Sequence, residues 1–417
     1  MEPALPAKEE PGPEQEQEQR RRERQVLLWM CALIGVTQLG FGSVIPVLPL
    51  YAQSFGVSLS AIGATVAIYG LARFLIAIPT GRLADLLGRR PTLALGGLLA
   101  ALGNAWCALA SSYLELLMAR FAAGLGAGII MTAGAVVLAD ISTPERRGRT
   151  MAIYQGVFIF TVGIGPLPGG LLAEHYGLAA PFAAYAVASL GAAMLAWFAV
   201  PETRGLRSTN DPRRKTHSIA FTQQLRIMLS QVGFRLVGTV ALMNAVVRTG
   251  ALFSIVPVIA FSKLGLTATQ IGFGFALGSI AGLIVTYPAG VMADRYGRKA
   301  VIVPATIGAG LAMGLFCVAP TYAWFVFANV VWGSAISIGG AAPAAYAADC
   351  APPGMNATAM SSFRMLSDFG YVVGPILLGM IADGIGAQSA VIVAASALIA
   401  SALIFARWAP ESYRARP

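Results

Sequence analysis

Long uninterrupted apolar stretches alternate with short polar, mostly basic ones along nearly the whole chain. Runs of about 17 to 26 residues, each long enough to cross a bilayer as a helix, recur twelve times. They cover 26–50, 62–80, 92–111, 114–138, 151–173, 181–200, 236–260, 268–289, 300–318, 322–347, 365–381 and 388–406. The runs are continuous instead of alternating apolar with polar, and lipid offers no partner for a bare peptide group. Each therefore predicts a helix, and a β-barrel is excluded.

The polar remainder divides the chain. Residues 1–25 are rich in Glu, Gln and Arg and lack an apolar stretch, so they are expected to be a disordered cytoplasmic tail. Six spans fill 26–200; a linker at 201–235 is marked by Pro201, Gly205, Pro212 and Arg213-Arg214-Lys215; six more spans fill 236–406, and 407–417 form a second tail. Within the linker, Phe221, Leu225 and Met228 fall at helical spacing. That fits a short helix on the membrane surface as well as it fits a floating basic segment.

The two sets of six are copies. Gly81-Arg82-Leu83-Ala84-Asp85-Leu86-Leu87-Gly88-Arg89-Arg90 returns as Gly290-Val291-Met292-Ala293-Asp294-Arg295-Tyr296-Gly297-Arg298-Lys299, an offset of 209. The same offset carries Asp140 onto Asp349, Gly165-Pro166 onto Gly374-Pro375, Glu174 onto Asp383 and Glu202 onto Glu411. The expectation is an all-α membrane protein of twelve transmembrane helices in two six-helix halves related by duplication. That build belongs to secondary transporters, whose halves rock about a site between them.

Composition agrees: 57% of the 417 residues are hydrophobic and 12% charged, about half the roughly 25% usual for soluble domains. Charge then sets orientation. Of 29 Lys and Arg, 25 fall in the termini and in loops sharing a side with them, three lie inside spans and only Lys263 falls opposite. Cytoplasmic loops retain Lys and Arg, so both termini of a multi-pass cell-membrane protein are expected in the cytoplasm. The net charge of +10 reads as topology and attraction to anionic headgroups, not as a nucleic-acid interface. Cys31, Cys107, Cys317 and Cys350 have neither metal nor disulfide spacing, and no nucleotide loop or nucleophile with a positioned base is present. An enzyme, a metal site or a bound cofactor is not expected.

From about residue 26 to 411 the chain resembles the major facilitator superfamily, and in particular its twelve-helix drug:proton antiporters. The Gly-x-x-x-Asp-x-x-Gly-Arg-Arg/Lys loop and its twin carry the likeness. The resemblance implies a conformational latch made by Gly81, Asp85, Gly88, Arg89, Arg90 and Asp140, with Asp294, Arg298 and Asp349 as its second copy. Asp85 would face the cytoplasmic start of the eleventh helix, whose unpaired amides carry positive partial charge. Arg89 would reach Asp140. Arg120, followed by Gly124, Gly126 and Gly128, matches the family's arginine-glycine motif and is implied to lie in the central cavity near a proton pathway. Gly165-Pro166-Leu167-Pro168-Gly169-Gly170 resembles the antiporter motif, though Ala152 and Thr161 stand where that motif has glycines.

A proton-driven exporter is expected to hold a carboxylate deep in the membrane. Asp368 is the best candidate, about one turn, or roughly 5 Å, inside the eleventh span, but Arg364 four residues earlier makes a plain ion pair the simpler account. The embedded charges are otherwise Arg73, Arg120 and Arg248, with Gln38, Asn104, Asn244 and Asn329 as neutral partners. That balance disfavours a permanently cationic cargo. The expected activity is proton-coupled efflux of small organic or drug-like compounds by a monomer, the alternatives being a metabolite importer or facilitator and a non-transporting sensor. Phe158, Tyr154, Tyr69 and Trp332 could line the cavity or simply pack.

Overall fold

A helix that must cross lipid satisfies its own backbone and turns back through a short loop, and the chain does this twelve times. The computed structural model describes residues 13–142, 147–203, 221–340, 342–352 and 355–411, and all regular structure among them is helical. The first half comprises α1 (Pro13–Val44), α2 (Leu48–Gln53), α3 (Leu59–Leu87), α4 (Arg89–Leu109), α5 (Tyr113–Ile141), α6 (Arg147–Ile164), α7 (Pro166–Tyr176) and α8 (Ala180–Phe198). A connecting helix, α9 (Phe221–Ser230), precedes the second half. That half comprises α10 (Val232–Val246), a π-helical stretch at Val247–Ile255, α11 (Val256–Leu264), α12 (Ala268–Tyr296), α13 (Arg298–Val318), α14 (Tyr322–Gly339), α15 (Ala342–Asp349), α16 (Asn356–Ile385) and α17 (Ala387–Trp408). The face where α1 begins and α17 ends is the terminal face; the other is the far face.

Residues 13–25 depart from expectation: they are the first turns of α1, not a disordered tail. Glu, Gln and Arg are good helix formers, and the apolar helix that follows supplies the nucleus they lack alone. Residues 1–12 lie outside the described residues. The linker's helical spacing does form α9, with Met228 fully buried.

The duplication is visible in the backbone. Gly88 and its twin Gly297 take φ 101°, ψ 164° and φ 96°, ψ 159°, while Gly177 and Gly386 take φ 90°, ψ 164° and φ 93°, ψ 152°. These left-handed corners favour glycine and turn one span into the next. The copies differ where the sequence does: Pro166 and Pro168 together remove two amide donors and split the fifth span into α6 and α7, whereas α16 runs unbroken through its single Pro375.

Packing separates the two ends of the molecule. At the terminal face each half has its own apolar cluster, one around Met30, Val137 and Tyr154, the other around Phe234, Ile302 and Tyr346. At the far face the clusters cross over: Ile45 and Leu50 join Ile255 and Phe325, and Val258 joins Val44 and Phe182. Among the described residues, the apolar clusters join the halves at the far face and stay within one half at the terminal face.

Candidate transport cavity and gates

The far-face seam is built twice by duplicated residues. Gly63 of α3 abuts the carbonyl of Pro375, and its twin Gly272 of α12 abuts the carbonyl of Pro166. Gly379 of α16 faces the Ser60 backbone, and its twin Gly170 of α7 faces Thr269. Lacking Cβ atoms, these four positions let backbones of opposite halves touch. An acid closes each seam. Asp383 accepts from the amides of Leu59 (2.8 Å) and Ser60 (3.0 Å), free donors in the first turn of α3. Its twin Glu174 faces Thr267 and Thr269 at the start of α12, but there the Thr269 hydroxyl finds no hydrogen-bond partner, so this second contact is the looser one. In the sequence these two acids stand out only as a pair at the repeat offset. Their common offset was the available signal.

At the terminal face, Gly88 turns α3 into α4 and delivers Arg89 into the first half. Its Nε donates to Asp140 at 2.8 Å, and one Nη donates to Asp85 at 2.9 Å and to the Ala84 carbonyl at 2.8 Å. Glu202 accepts from the Arg89 amide (2.9 Å) and the Arg90 amide (3.2 Å), capping α4, while the Arg90 guanidinium stacks 5.1 Å over Trp197. Asp85 is 61% exposed and makes no hydrogen bond to α16 among the described residues; a Cβ added at Gly81 would meet open space.

The second copy is more exposed. Arg298 meets Asp349 at 3.8 Å with both side chains partly exposed, and the side chain of Asp294 lies outside the described residues. Arg298→Ala is therefore expected to cost less than about 1 kcal/mol, measured by thermal unfolding in detergent. A loss as large as that from Arg89 substitution would contradict the asymmetry.

Midway between the faces, the helices that meet at the seam carry an arginine–tyrosine cluster. Arg120 is 1% exposed; its guanidinium lies 4.2 Å over the Tyr69 ring, its Nε donates to the Thr65 carbonyl at 3.4 Å, and one Nη has no partner. It is thus enclosed within the first half and not open to the cavity in this arrangement, because the Tyr69 ring covers it. Tyr69 also stacks on Phe41 at 5.4 Å and meets the Tyr185 hydroxyl at 3.4 Å. The Tyr371 ring of α16 packs onto Gly70 of α3, beside half-buried Arg73.

Arg248 faces them from the π-helical stretch. Pro257 has no amide donor and crowds the turn before it, which favours a wider winding there. Thr249 bridges the disturbed turn, bonding the Ala245 carbonyl at 2.9 Å and the Tyr371 carbonyl at 3.4 Å. Arg248 remains exposed although it sits about 24 Å along the seventh span, and it interacts electrostatically with Tyr371, Arg73 and Asp368. Water therefore reaches the middle of the molecule from the terminal face.

Asp368 lies farther along its helix than expected. α16 begins at Asn356, so Asp368 sits about 18 Å from its start. Its pair with Arg364 is stretched to 4.0 Å, with side chains 46% and 71% exposed. The neutral candidates contribute less: Asn104, Asn244 and Asn329 each donate back to the carbonyl four residues earlier, and Gln38 is buried on α1. Tyr154 and Trp332 belong to the apolar clusters. Tyr185, Tyr371 and Thr249, unremarked in the sequence, complete the cluster.

Gly165 meets the backbone of Leu39 and Gly42, and Gly169 meets Ser43, so α1 and the α6–α7 break lie backbone to backbone; Gly170 serves the seam and Pro166 supplies its carbonyl.

Known proteins resemble this chain in sequence or in fold. An uncharacterised MFS-type transporter of Methanocaldococcus jannaschii is 23% identical over 86% of this chain and 91% of its own length. The quinolone resistance protein NorA of Staphylococcus aureus is 31% identical over 33% of this chain, a match spanning 35% of that protein. A bacterial homologue of the human lysosomal transporter Spinster, in an inward-facing and unoccupied conformation, superposes with a TM-score of 0.72 at 16% identity over 93% of this chain and 95% of its own. The Major Facilitator Superfamily model matches residues 30–259 and 237–417. On that match, the repeat and the twelve spans, the chain belongs to the major facilitator superfamily.

Proposed function

We propose that the protein is a monomeric secondary active transporter that exports small organic or drug-like compounds in exchange for protons. The halves at 26–200 and 236–406 rock about the arginine–tyrosine cavity, with the 201–235 segment joining them. The basic terminal face is the cytoplasmic side of the cell membrane, so the described arrangement is open inward. The observation that carries the reading is the water-accessible cavity at mid-membrane, reached from one face while the other is sealed by duplicated glycine contacts.

Closing the terminal face would bring Asp85 and its loop to α16, and the first-half latch is already assembled on Arg89. Arginines outnumber acids in the cavity, which supports a neutral or anionic amphipathic cargo held between apolar walls. Asp368, weakly paired, is the proposed proton carrier, and Arg120 with its buried, unpartnered Nη is an electrostatic neighbour of the pathway. Partial likeness to NorA supports export. A second reading, a facilitator or importer, draws on the departures at Ala152 and Thr161 from the antiporter motif.

The test is purified protein in liposomes enclosing a pH-sensitive dye, with a compound panel and the pH step imposed in each direction. Compound-stimulated proton movement, lost in Asp368→Asn, is the expected result. Compound flux indifferent to the pH step selects the facilitator.

A further inference from the structure

We infer that the seam between α3 and α16 binds a single-tailed amphiphile with an anionic head, its apolar body in a lateral slot beneath α9 and its head at Arg248 and Arg73. The inference rests on the cavity reading above and names the cargo class. The slot encloses about 390 Å³, within the range of small-molecule sites. Leu71 and Phe74 of α3, Leu225 and Leu229 of α9, and Met365 and Phe369 of α16 form its walls. α9 is held over it by buried Met228 and by the Thr358 hydroxyl donating to Gln224.

Two polar groups interrupt this apolar lining. Ser362 is 2% exposed and its hydroxyl has no hydrogen-bond partner. Asp368 lines the slot and also interacts with Arg248 on the cavity side, so slot and cavity adjoin at that residue. A bilayer acyl chain would satisfy the walls but leave Ser362 and the arginines unanswered. Arg73, Arg248 and Arg364 outweigh the single carboxylate of Asp368, so the seam selects a negative head. A carboxylate or a phosphate monoester supplies that chemistry, and a tail attached to it fills the slot from the side.

The experiment uses the full chain in phosphatidylcholine nanodiscs and undecanoate carrying a terminal diazirine, with labelled peptides identified by mass spectrometry. Labelling is expected to concentrate on 221–230 and 362–372 and to be displaced by excess undecanoate or undecyl phosphate, but not by undecyltrimethylammonium. Arg248→Gln is expected to lower it about tenfold, the size of one lost charge-assisted contact. Leu71→Trp, which fills the slot without touching the arginines, is expected to remove labelling from the same segments. Should either variant fail to fold, the competitor pattern on the wild type decides. Labelling spread over lipid-facing helices and insensitive to the anionic competitors, or equal displacement by the ammonium compound, would overturn the inference. Because labelling requires neither turnover nor a proton gradient, its failure is distinct from a failure of the export reading.

Discussion

Arg89→Leu is expected to strip the membrane of most folded protein. The side chain is 2% exposed, and Asp140, its 2.8 Å partner, is 4% exposed. Removing one member of such a pair leaves the other as an uncompensated buried charge, a loss of about 3–5 kcal/mol. Against a total stability of roughly 5–15 kcal/mol that is a large fraction. Asp140 would keep only the Thr203 hydroxyl at 3.4 Å, and Asp85, already exposed, would turn to water. Fluorescence-detected thermal unfolding of the solubilised protein is expected to show a melting temperature lower by roughly 5 °C. The double variant Arg89→Leu with Asp140→Leu is expected to recover much of this, because neither charge is then stranded. Arg89→Lys is expected to rescue poorly, since a compact ammonium cannot present the planar fork that spans Asp140, Asp85 and the Ala84 carbonyl. Melting of the single variant at the wild-type temperature would refute the account.

Asp383→Ala is expected to act on the conformational equilibrium more than on folding. Its carboxylate accepts two amides of the opposite half at the sealed face. Those bonds can exist only while that face is closed, so they bias one of two arrangements. Charge-assisted bonds contribute about 1.5–3 kcal/mol each; losing both after solvation is allowed for shifts the populations on the order of 100-fold. Glu174→Ala is expected to shift them less, because its contact with Thr267 and Thr269 is loose. The measurement is the distance distribution between spin labels at Leu114 and Gly384, exposed positions near the far face in different halves. A longer distance is expected to appear in Asp383→Ala. One unchanged short distance would show that glycine packing alone holds the seam.

Particular residues show how far reading the chain can reach. The latch loop was legible because Gly88, Arg89 and Asp140 act through a tight corner and short contacts within one half. Asp368 was placed too near the start of its helix because Ser361, Ser362 and Arg364 lower the hydropathy of a stretch that is helical all the same. There Ser362 faces the slot, where lipid does not exclude it. Asn104, Asn244 and Asn329 looked like cavity anchors, yet each donates its side-chain amide back to its own helix.

Twelve crossings and the duplication could be read directly from the chain, because bilayer thickness and backbone self-satisfaction act on each segment separately. The sealed face, the partners of Gly63, Gly170, Gly272 and Gly379, the caps made by Asp383 and Glu174, and the slot under α9 emerged from the assembled helices. Those features join residues up to 324 positions apart, as Asp383 and Leu59 are, so they depend on how whole helices pack and not on any one segment.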